Sequence, residues 1–341
     1  MDPSKLENIS PKDEFGGPSV LCSPQDVAIC GKMGLIAVAD DWEGVVIFDR
    51  NGSIVHRLTD LKDATSLCYN RVTNQLVLSL QVTQPVPEPP EARLVFCDVL
   101  SGFKVVKTIV VPKEHFEIQQ EPLVKMGYSR YITCCKRTGA VFVSYGDNST
   151  GVIYHYEPNK DKWTLLLQSA GLAERVSVDP SGEWLLLTFW DEENNWTVQK
   201  WTLTKDLKLT DKTFVVKPHE HDRFVNEPWN AYVDHDGDVY VYCCKAGYVW
   251  QMHTHSVPYL CSNMVAIIAS GQTVSFDVEG TEFWMTASSD RQLRRYFLWK
   301  RDKKAKDEKK GATDQNRHVD QQPKRSLTNA EDIHDFVSNY L

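Results

Sequence analysis

The sequence lacks a long hydrophobic run. No stretch of about 18 apolar residues occurs within its 341 residues, so we expect no membrane span. The segment from Met1 to Glu7 also lacks the apolar core of a secretory signal. Together these two absences predict an intracellular, cytoplasmic protein.

The cysteines lack the pattern of a disulfide framework. There are nine of them, an odd number, and the neighbouring pairs Cys134-Cys135 and Cys243-Cys244 lie inside apolar runs. Thiols in such runs behave as small hydrophobic side chains and stay reduced inside the cell. The cysteine pattern therefore agrees with a cytoplasmic location.

An excess of positive charge is also missing. The chain carries 38 Lys and Arg against 46 Asp and Glu, a net charge of -8, which argues against nucleic acid as a partner. No Gly-x-Ser-x-Gly motif, phosphate loop or Gly-x-Gly-x-x-Gly motif occurs. Nucleophilic hydrolysis, nucleoside triphosphate use and dinucleotide binding thus lose their usual sequence support. We predict a protein that is not an enzyme and holds no cofactor or metal.

The sequence does contain a repeated pattern of β-strands. Six apolar runs start at Ile36, Leu76, Ala140, Trp184, Asp238 and Glu282, at intervals of 40, 64, 44, 54 and 44 residues. Each follows a turn signal and an earlier strand-like run, and each is succeeded by a further strand-like run. Several units show a fourth run. The pattern predicts an all-β fold, a six-bladed β-propeller of four-stranded antiparallel blades.

The two ends of the predicted ring must meet. The last unit has no clear fourth strand, because Trp299 is followed directly by the charged residues 300–304. We predict that part of residues 4–21 supplies this strand, so that residues 1–300 form one closed propeller.

The composition changes beyond residue 300. Residues 301–325 contain nine Lys and Arg, five Asp and Glu, and three apolar residues, which predicts a disordered basic linker over 301–326. Residues 327–341 combine a capping-box sequence, Thr328 to Glu331, with apolar residues at helical spacing. This pattern predicts a short amphipathic helix that docks on its own propeller or is offered to another protein.

The first unit resembles an NHL repeat. Pro24 precedes a short apolar strand, the next strand ends in Val38-Ala39-Asp40, and the third ends in Phe48-Asp49 before Gly52. The segment from Tyr232 to Val241 is similar in its first half. The resemblance implies a six-bladed propeller that binds RNA or protein, frequently as the C-terminal module of tripartite-motif ubiquitin ligases. The chain has no RING or B-box spacing and no heptad segment, so any ligase activity would come from a partner.

One face of the predicted propeller is acidic and rich in tryptophan. Loops between the second and third strands share this face with the inter-blade segments, because adjacent strands alternate in direction. Such a face attracts Lys- and Arg-rich peptides and offers indoles for cation-π contacts. The candidate partner-binding residues are Asp41, Trp42, Glu43, Trp190, Asp191, Glu192, Glu193, His219, His221, Arg223, Trp229 and Asp290. Alternatively, these loops are polar because they are solvated, and Trp42 and Trp190 cap blade cores.

Three functions follow from these patterns. The first is a non-catalytic, monomeric scaffold or adaptor that binds protein partners with basic segments through the acidic face. The second is an RNA-binding NHL-type propeller, which the resemblance permits and the net charge disfavours. The third is a metal-dependent, lactonase-like hydrolase, which needs carboxylate and amide oxygens converging in the central channel. No Glu-Gly-Pro entry motif supports the hydrolase, and His219-x-His221 lacks a further ligand placed by sequence.

Overall fold

The computed structural model describes residues 11–82, 91–112, 131–146, 150–190, 196–216, 228–233, 238–243, 248–253, 260–267, 274–279, 282–287 and 291–297. These residues form six four-stranded antiparallel sheets, the blades of a β-propeller, which confirms the predicted fold class. Within these ranges the helical structure is one 3-10 turn at Gly31–Met33, and no helix there is suited to crossing a membrane. The predicted linker 301–326 and terminal helix 327–341 lie outside the described residues.

Strands are numbered along the chain, beginning with β1 (Asp13–Gly16). Blade 1 comprises β2 (Pro24–Cys30), β3 (Leu35–Asp40), β4 (Gly44–Asp49) and β5 (Ile54–Leu58). Blade 2 comprises β6 (Ala64–Asn70), β7 (Gln75–Val82), β8 (Glu91–Asp98) and β9 (Lys104–Val110). Blade 3 comprises β10 (Ile132–Cys134), β11 (Val141–Gly146), β12 (Thr150–Glu157) and β13 (Lys162–Ala170).

The second half of the ring follows the same order. Blade 4 comprises β14 (Leu172–Val178), β15 (Trp184–Trp190), β16 (Trp196–Leu203) and β17 (Leu209–Val216). Blade 5 comprises β18 (Pro228–Val233), β19 (Val239–Cys243), β20 (Tyr248–His253) and β21 (Leu260–Ile267). Blade 6 contains β22 (Val274–Glu279), β23 (Glu282–Ala287) and β24 (Gln292–Phe297), with β1 as its outer strand.

The middle strands of the blades are buried on both sides, because each blade is packed between two others. In β3 and β4 nearly every residue is buried, whereas the outer strand β5 begins with three exposed residues. A strand covered on both faces has a continuous apolar sequence, which is the pattern that the six repeated runs show. The core lies between blades: one apolar cluster joins Val45 of blade 1 to Leu67 and Leu78 of blade 2.

The ring is closed by β1, which pairs with β24 in antiparallel register, Phe15 opposite Leu293. This strand lies within residues 4–21, the segment that the sequence assigns to closure. The Phe15 ring stacks on Trp284 of β23 at a centroid distance of 5.8 Å. Glu14 accepts a hydrogen bond from Arg294 at 3.0 Å. Blade 6 is thus completed by a strand from the opposite end of the chain.

Gly52 is tightly placed beside the closing strand. Its φ is +81°, and a Cβ built at this position would lie 1.8 Å from Phe15 Cδ1. Gly102 has a similar φ of +71°, but a Cβ there would meet nothing within 4 Å. Both glycines therefore adopt a left-handed backbone conformation, but a side chain would collide with a neighbour only at Gly52.

We expect Gly52→Ala to destabilise the protein clearly more than Gly102→Ala. Both variants incur the left-handed backbone cost of about 1–2 kcal/mol, and Gly52→Ala adds an overpacking cost of about 1–3 kcal/mol because the Phe15 ring must move. The free energy of unfolding from denaturant titrations measures the difference. Equal losses in the two variants would show that Phe15 is not packed against Gly52.

Candidate functional site

The loops between second and third strands share one face with the inter-blade segments, as the alternation of strand direction requires. In blade 1 the Asp63 N–H, in the segment after β5, donates to the Asp41 carbonyl oxygen at 3.4 Å. The Gln81 N–H of β7 donates in turn to the Asp63 carbonyl oxygen at 3.2 Å. We call this face, which carries residues 41–43 and 59–63, the upper face. Residues 31–34 and 50–53 lie on the lower face.

Asp40 builds the upper-face loop of blade 1. Its carboxylate is fully buried and accepts four backbone hydrogen bonds. The donors are the N–H groups of Cys22 at 2.8 Å, Ser23 at 2.9 Å, Trp42 at 3.0 Å and Glu43 at 3.1 Å. The aspartate that ends the Val38-Ala39-Asp40 run is therefore structural, because it fixes the loop and ties it to the entering chain.

The candidate residues of this loop have different environments. Trp42 is 70% exposed and so does not cap a blade core. Asp41 accepts hydrogen bonds from Ser23 at 3.1 Å and Gln25 at 2.7 Å, and burial raises the pKa of its carboxyl despite these bonds. Glu43 pairs with Arg57 at 3.2 Å. Trp42 is thus presented to solvent by a loop whose two nearest carboxylates are held in place.

Three tryptophans stack on the upper face where blade 4 meets blade 5. Trp190, the last residue of β15, lies opposite Trp196, the first residue of β16, and their rings are 5.9 Å apart at 18°. Trp196 also stacks on Trp229 of β18 at 5.3 Å and 30°. All three are half-buried. We call Trp190, Trp196 and Trp229 the tryptophan stack.

Sequence reasoning included Trp190 and Trp229 among the candidates but missed Trp196. The available signal was the hairpin register, because Trp196 begins the third-strand run and therefore faces the last residue of the second strand. The structure does not bring all candidates into one patch. Trp42 lies on blade 1 and the tryptophan stack on blades 4 and 5, across the ring. The candidates outside the described residues are Asp191, Glu192, Glu193, His219, His221, Arg223 and Asp290.

A small polar cavity occupies the centre of the ring. The first strands of all six blades, β2, β6, β10, β14, β18 and β22, contribute to its lining, and its volume is about 70 Å³. Its walls include Asp26, Arg175, Asn230 and Asp277. We call it the channel cavity.

Asp26 and Arg175 form a buried ion pair in this cavity. Arg175 Nη1 lies 3.2 Å from Asp26 Oδ1, and the two side chains are each 6% exposed. The Asp26 carboxylate also accepts hydrogen bonds from Ser66 Oγ and from the N–H of Leu67 at 3.0 Å. The Arg175 guanidinium carbon lies 3.3 Å from the centre of the Tyr131 ring. The pair therefore connects the inner strands of blades 1, 2 and 4.

Arg175 lies in a strand and not in a loop between two blades. Arg175 belongs to β14, the innermost strand of blade 4, which begins at Leu172. An arginine is unusual in a central strand, because its charge is rarely buried without a partner. Burial is possible because its charge faces Asp26 and its plane lies against an aromatic ring.

The carboxylates of the channel cavity are already engaged by protein donors. Asp277 of β22 accepts a hydrogen bond from the Ile29 N–H of blade 1 at 2.8 Å. The positive charge beside Asp26 comes from the Arg175 guanidinium. In a metal-binding propeller it would come from the metal ion. Within the described ranges, no three His, Cys, Asp or Glu side chains are grouped as a metal would require.

Comparison with known proteins shows the fold. No family model matches the sequence, and no curated protein matches it. A solved auxiliary nutrient binding protein from Bacteroides thetaiotaomicron superposes with a TM-score of 0.56 at 10% identity, covering 81% of this chain and 69% of that one. Kuenenia stuttgartiensis hydrazine synthase gives a TM-score of 0.57 at 9% identity, covering 82% and 96%. A luciferin-regenerating enzyme gives 0.55 at 12% identity, covering 82% and 91%.

These three proteins have different functions, and their identities to this chain are at or below 12%. Their similarity therefore extends to the propeller architecture alone. The NHL resemblance of the first unit stays a resemblance, because no family model matches. The chain is a six-bladed β-propeller.

Proposed function

We propose that this propeller is a non-catalytic interaction scaffold whose upper face binds protein partners through basic segments. The tryptophan stack carries the proposal. It presents three half-buried indoles across two blades, next in sequence to Asp191, Glu192 and Glu193. Tryptophan side chains that become buried on binding supply much of the binding energy at protein interfaces, and indole faces attract Lys and Arg.

The upper face of blade 1 offers a second contact of the same chemistry. Trp42 is 70% exposed, and the adjoining segment carries the exposed carboxylates Asp60 and Asp63. A partner that reached both regions would cross the mouth of the ring and gain from two weak contacts at once. The proposal therefore predicts preference for an extended basic segment over a single charged residue.

The channel cavity favours a binding role over catalysis. Its volume of about 70 Å³ has room for a few water molecules, whereas small-molecule sites usually enclose roughly 300–1,000 Å³. Asp26 is neutralised by Arg175, so it is poorly suited to act as a metal ligand or general base. If the hydrolase alternative holds, added calcium or zinc should raise Tm by binding the folded state, because a ligand of the folded state stabilises it.

We expect Trp196→Ala to weaken the binding of a fluorescein-labelled Lys/Arg-rich peptide at least about tenfold, because it removes the central ring of the stack. Trp42→Ala should weaken binding less, since it removes one end of the contact. Fluorescence anisotropy at low salt measures both, and affinity should fall as salt rises. Changing Asp191, Glu192 and Glu193 together to Lys should abolish binding.

Leu100→Ala is the matched control. Leu100 is 65% exposed and follows β8, which ends on the lower face, so its removal should leave peptide affinity unchanged. Wild-type affinity in the Trp196→Ala and triple-Lys variants would refute the proposed face. Filter binding of single-stranded RNA with a steep salt dependence would favour the RNA-binding alternative instead.

A further inference from the structure

Two cysteine sulfurs meet in the channel cavity. The Sγ atoms of Cys68 and Cys134 are 2.9 Å apart, although the residues are separated by 66 positions in sequence. Cys68 belongs to β6 and Cys134 to β10, so the contact crosses from the innermost strand of blade 2 to that of blade 3. Both side chains line the channel cavity.

The backbone holds the two cysteines in this arrangement. The Ile132 N–H of β10 donates to Ser66 Oγ of β6 at 3.2 Å, and Ser66 in turn donates to the buried Asp26 carboxylate. Cys68 lies two residues after Ser66 on β6, and Cys134 lies two residues after Ile132 on β10. The sulfurs are therefore brought together by two anchored strands.

The neighbouring Cys135 provides a contrast. It is fully buried, it packs in the apolar cluster between blades 3 and 4, and a Cβ on Gly182 would lie 2.9 Å from its sulfur. Cys135 thus fills space in a core in the way expected of a small hydrophobic side chain. Cys68 and Cys134 differ because their sulfurs face each other at a cavity.

We propose that Cys68 and Cys134 form a reversible disulfide that links blades 2 and 3 when a peroxide enters the channel cavity. One thiol loses its proton and its sulfur attacks an oxygen of hydrogen peroxide, which forms a sulfenic acid and releases water after proton transfer. The second sulfur then attacks the sulfenic sulfur, forms the S–S bond and expels a second water. Two thiols and one peroxide give one disulfide and two waters.

The surroundings make the first step slow and the second fast. Burial and the hydrogen bond with Cys134 hold the pKa of the Cys68 thiol well above its usual range, and the Asp26 and Asp277 carboxylates act in the same direction. Little thiolate is present near neutral pH, so brief exposure to oxidant leaves the pair reduced. Once a sulfenic acid has formed, the second sulfur is already in contact with it.

The bond would stiffen the ring. It closes a loop that spans the 66 positions between the two cysteines and limits how far blades 2 and 3 can separate in the unfolded chain. A cross-link over a loop of this length is expected to raise Tm by roughly 5 °C or more. Thiol reductants would reverse the change, which makes the link a sensor of sustained oxidation.

The test treats the purified full-length protein with hydrogen peroxide for several times as long as full oxidation of the half-exposed Cys22 requires, and then alkylates the free thiols. We expect a proteolytic peptide pair joined between Cys68 and Cys134, two hydrogens lighter than the separate peptides, and a raised Tm that dithiothreitol reverses. Cys68→Ser and Cys134→Ala should lose both signals. Cys135→Ser should retain both, since its sulfur packs elsewhere.

Absence of the linked peptide after this prolonged treatment would overturn the proposal. So would a rise in Tm that persists in Cys68→Ser, because another reaction would then cause it. The peptide map of the wild-type protein shows whether the disulfide forms, so this result does not depend on whether the variants fold.

Discussion

Deletion of residues 4–21 is expected to turn the folded propeller into an aggregating protein. The deletion removes β1, so that β24 loses its antiparallel partner and becomes an exposed edge from Gln292 to Phe297. It also removes Phe15 from the Trp284 ring and Leu21, which is fully buried, from the cluster between blades 6 and 1. An uncovered apolar edge strand is a template for intermolecular pairing.

The apolar contacts explain why the effect is large. The ion pairs that β1 forms with Arg294 and Arg295 are partly exposed, and such pairs contribute at most about 1 kcal/mol each. Loss of a buried Leu or Phe typically costs about 2–5 kcal/mol, and here the neighbouring faces of two blades are uncovered as well. The summed loss approaches the whole stability of a typical domain, about 5–15 kcal/mol.

Size-exclusion chromatography and thermal unfolding measure the outcome, and deletion of residues 301–341 is the control. The sequence predicts a polar linker and a short helix there, so the C-terminal deletion should cost much less stability. A larger loss from the C-terminal cut, or equal losses, would show that the tail belongs to the fold. Phe15→Ala offers a milder version and should lower stability without abolishing folding.

The fold could be predicted because each strand has a recognisable pattern within a short stretch of sequence. The run predicted from Ile36 to Asp40 lies inside β3, and the run from Trp184 to Phe189 lies inside β15. Strands covered on both faces need apolar residues at every position, and the turns between them need Gly, Asp and Asn. Both requirements act within a few residues, so a single sequence displays them.

The centre of the ring could not be predicted in this way. Asp26 and Arg175 are 149 residues apart, and the contact exists because the first strands of blades 1 and 4 converge on one axis. The sequence around each residue does not indicate which residue it contacts. The structural role of Asp40 could not be predicted either, because its four backbone N–H donors come from two separate segments, residues 22–23 and 42–43. Short aspartate side chains often end strands for this purpose.

Asp26→Asn is expected to lower the free energy of unfolding by about 3–5 kcal/mol, because it leaves the Arg175 guanidinium buried without its counter-charge. Arg175→Met should cost somewhat less. In that variant Asp26 keeps the Ser66 hydroxyl and the N–H groups of Val27 and Leu67 as donors, which still stabilise its carboxylate. Arg175→Met also loses the contact with the Tyr131 ring.

The double variant Asp26→Asn/Arg175→Met measures the interaction between the two charges apart from the contacts that each makes with other residues. If the two charges compensate each other, the double variant should be more stable than the sum of the single losses predicts, by about 0.5–3 kcal/mol. Arg57→Met is the matched control, because its partner Glu43 and its own side chain are both about a third exposed; it should change stability by less than about 1 kcal/mol. Denaturant titration of all four variants gives these values. Additive losses at Asp26 and Arg175 would mean that the two charges do not stabilise each other and that each side chain is held by its other neighbours.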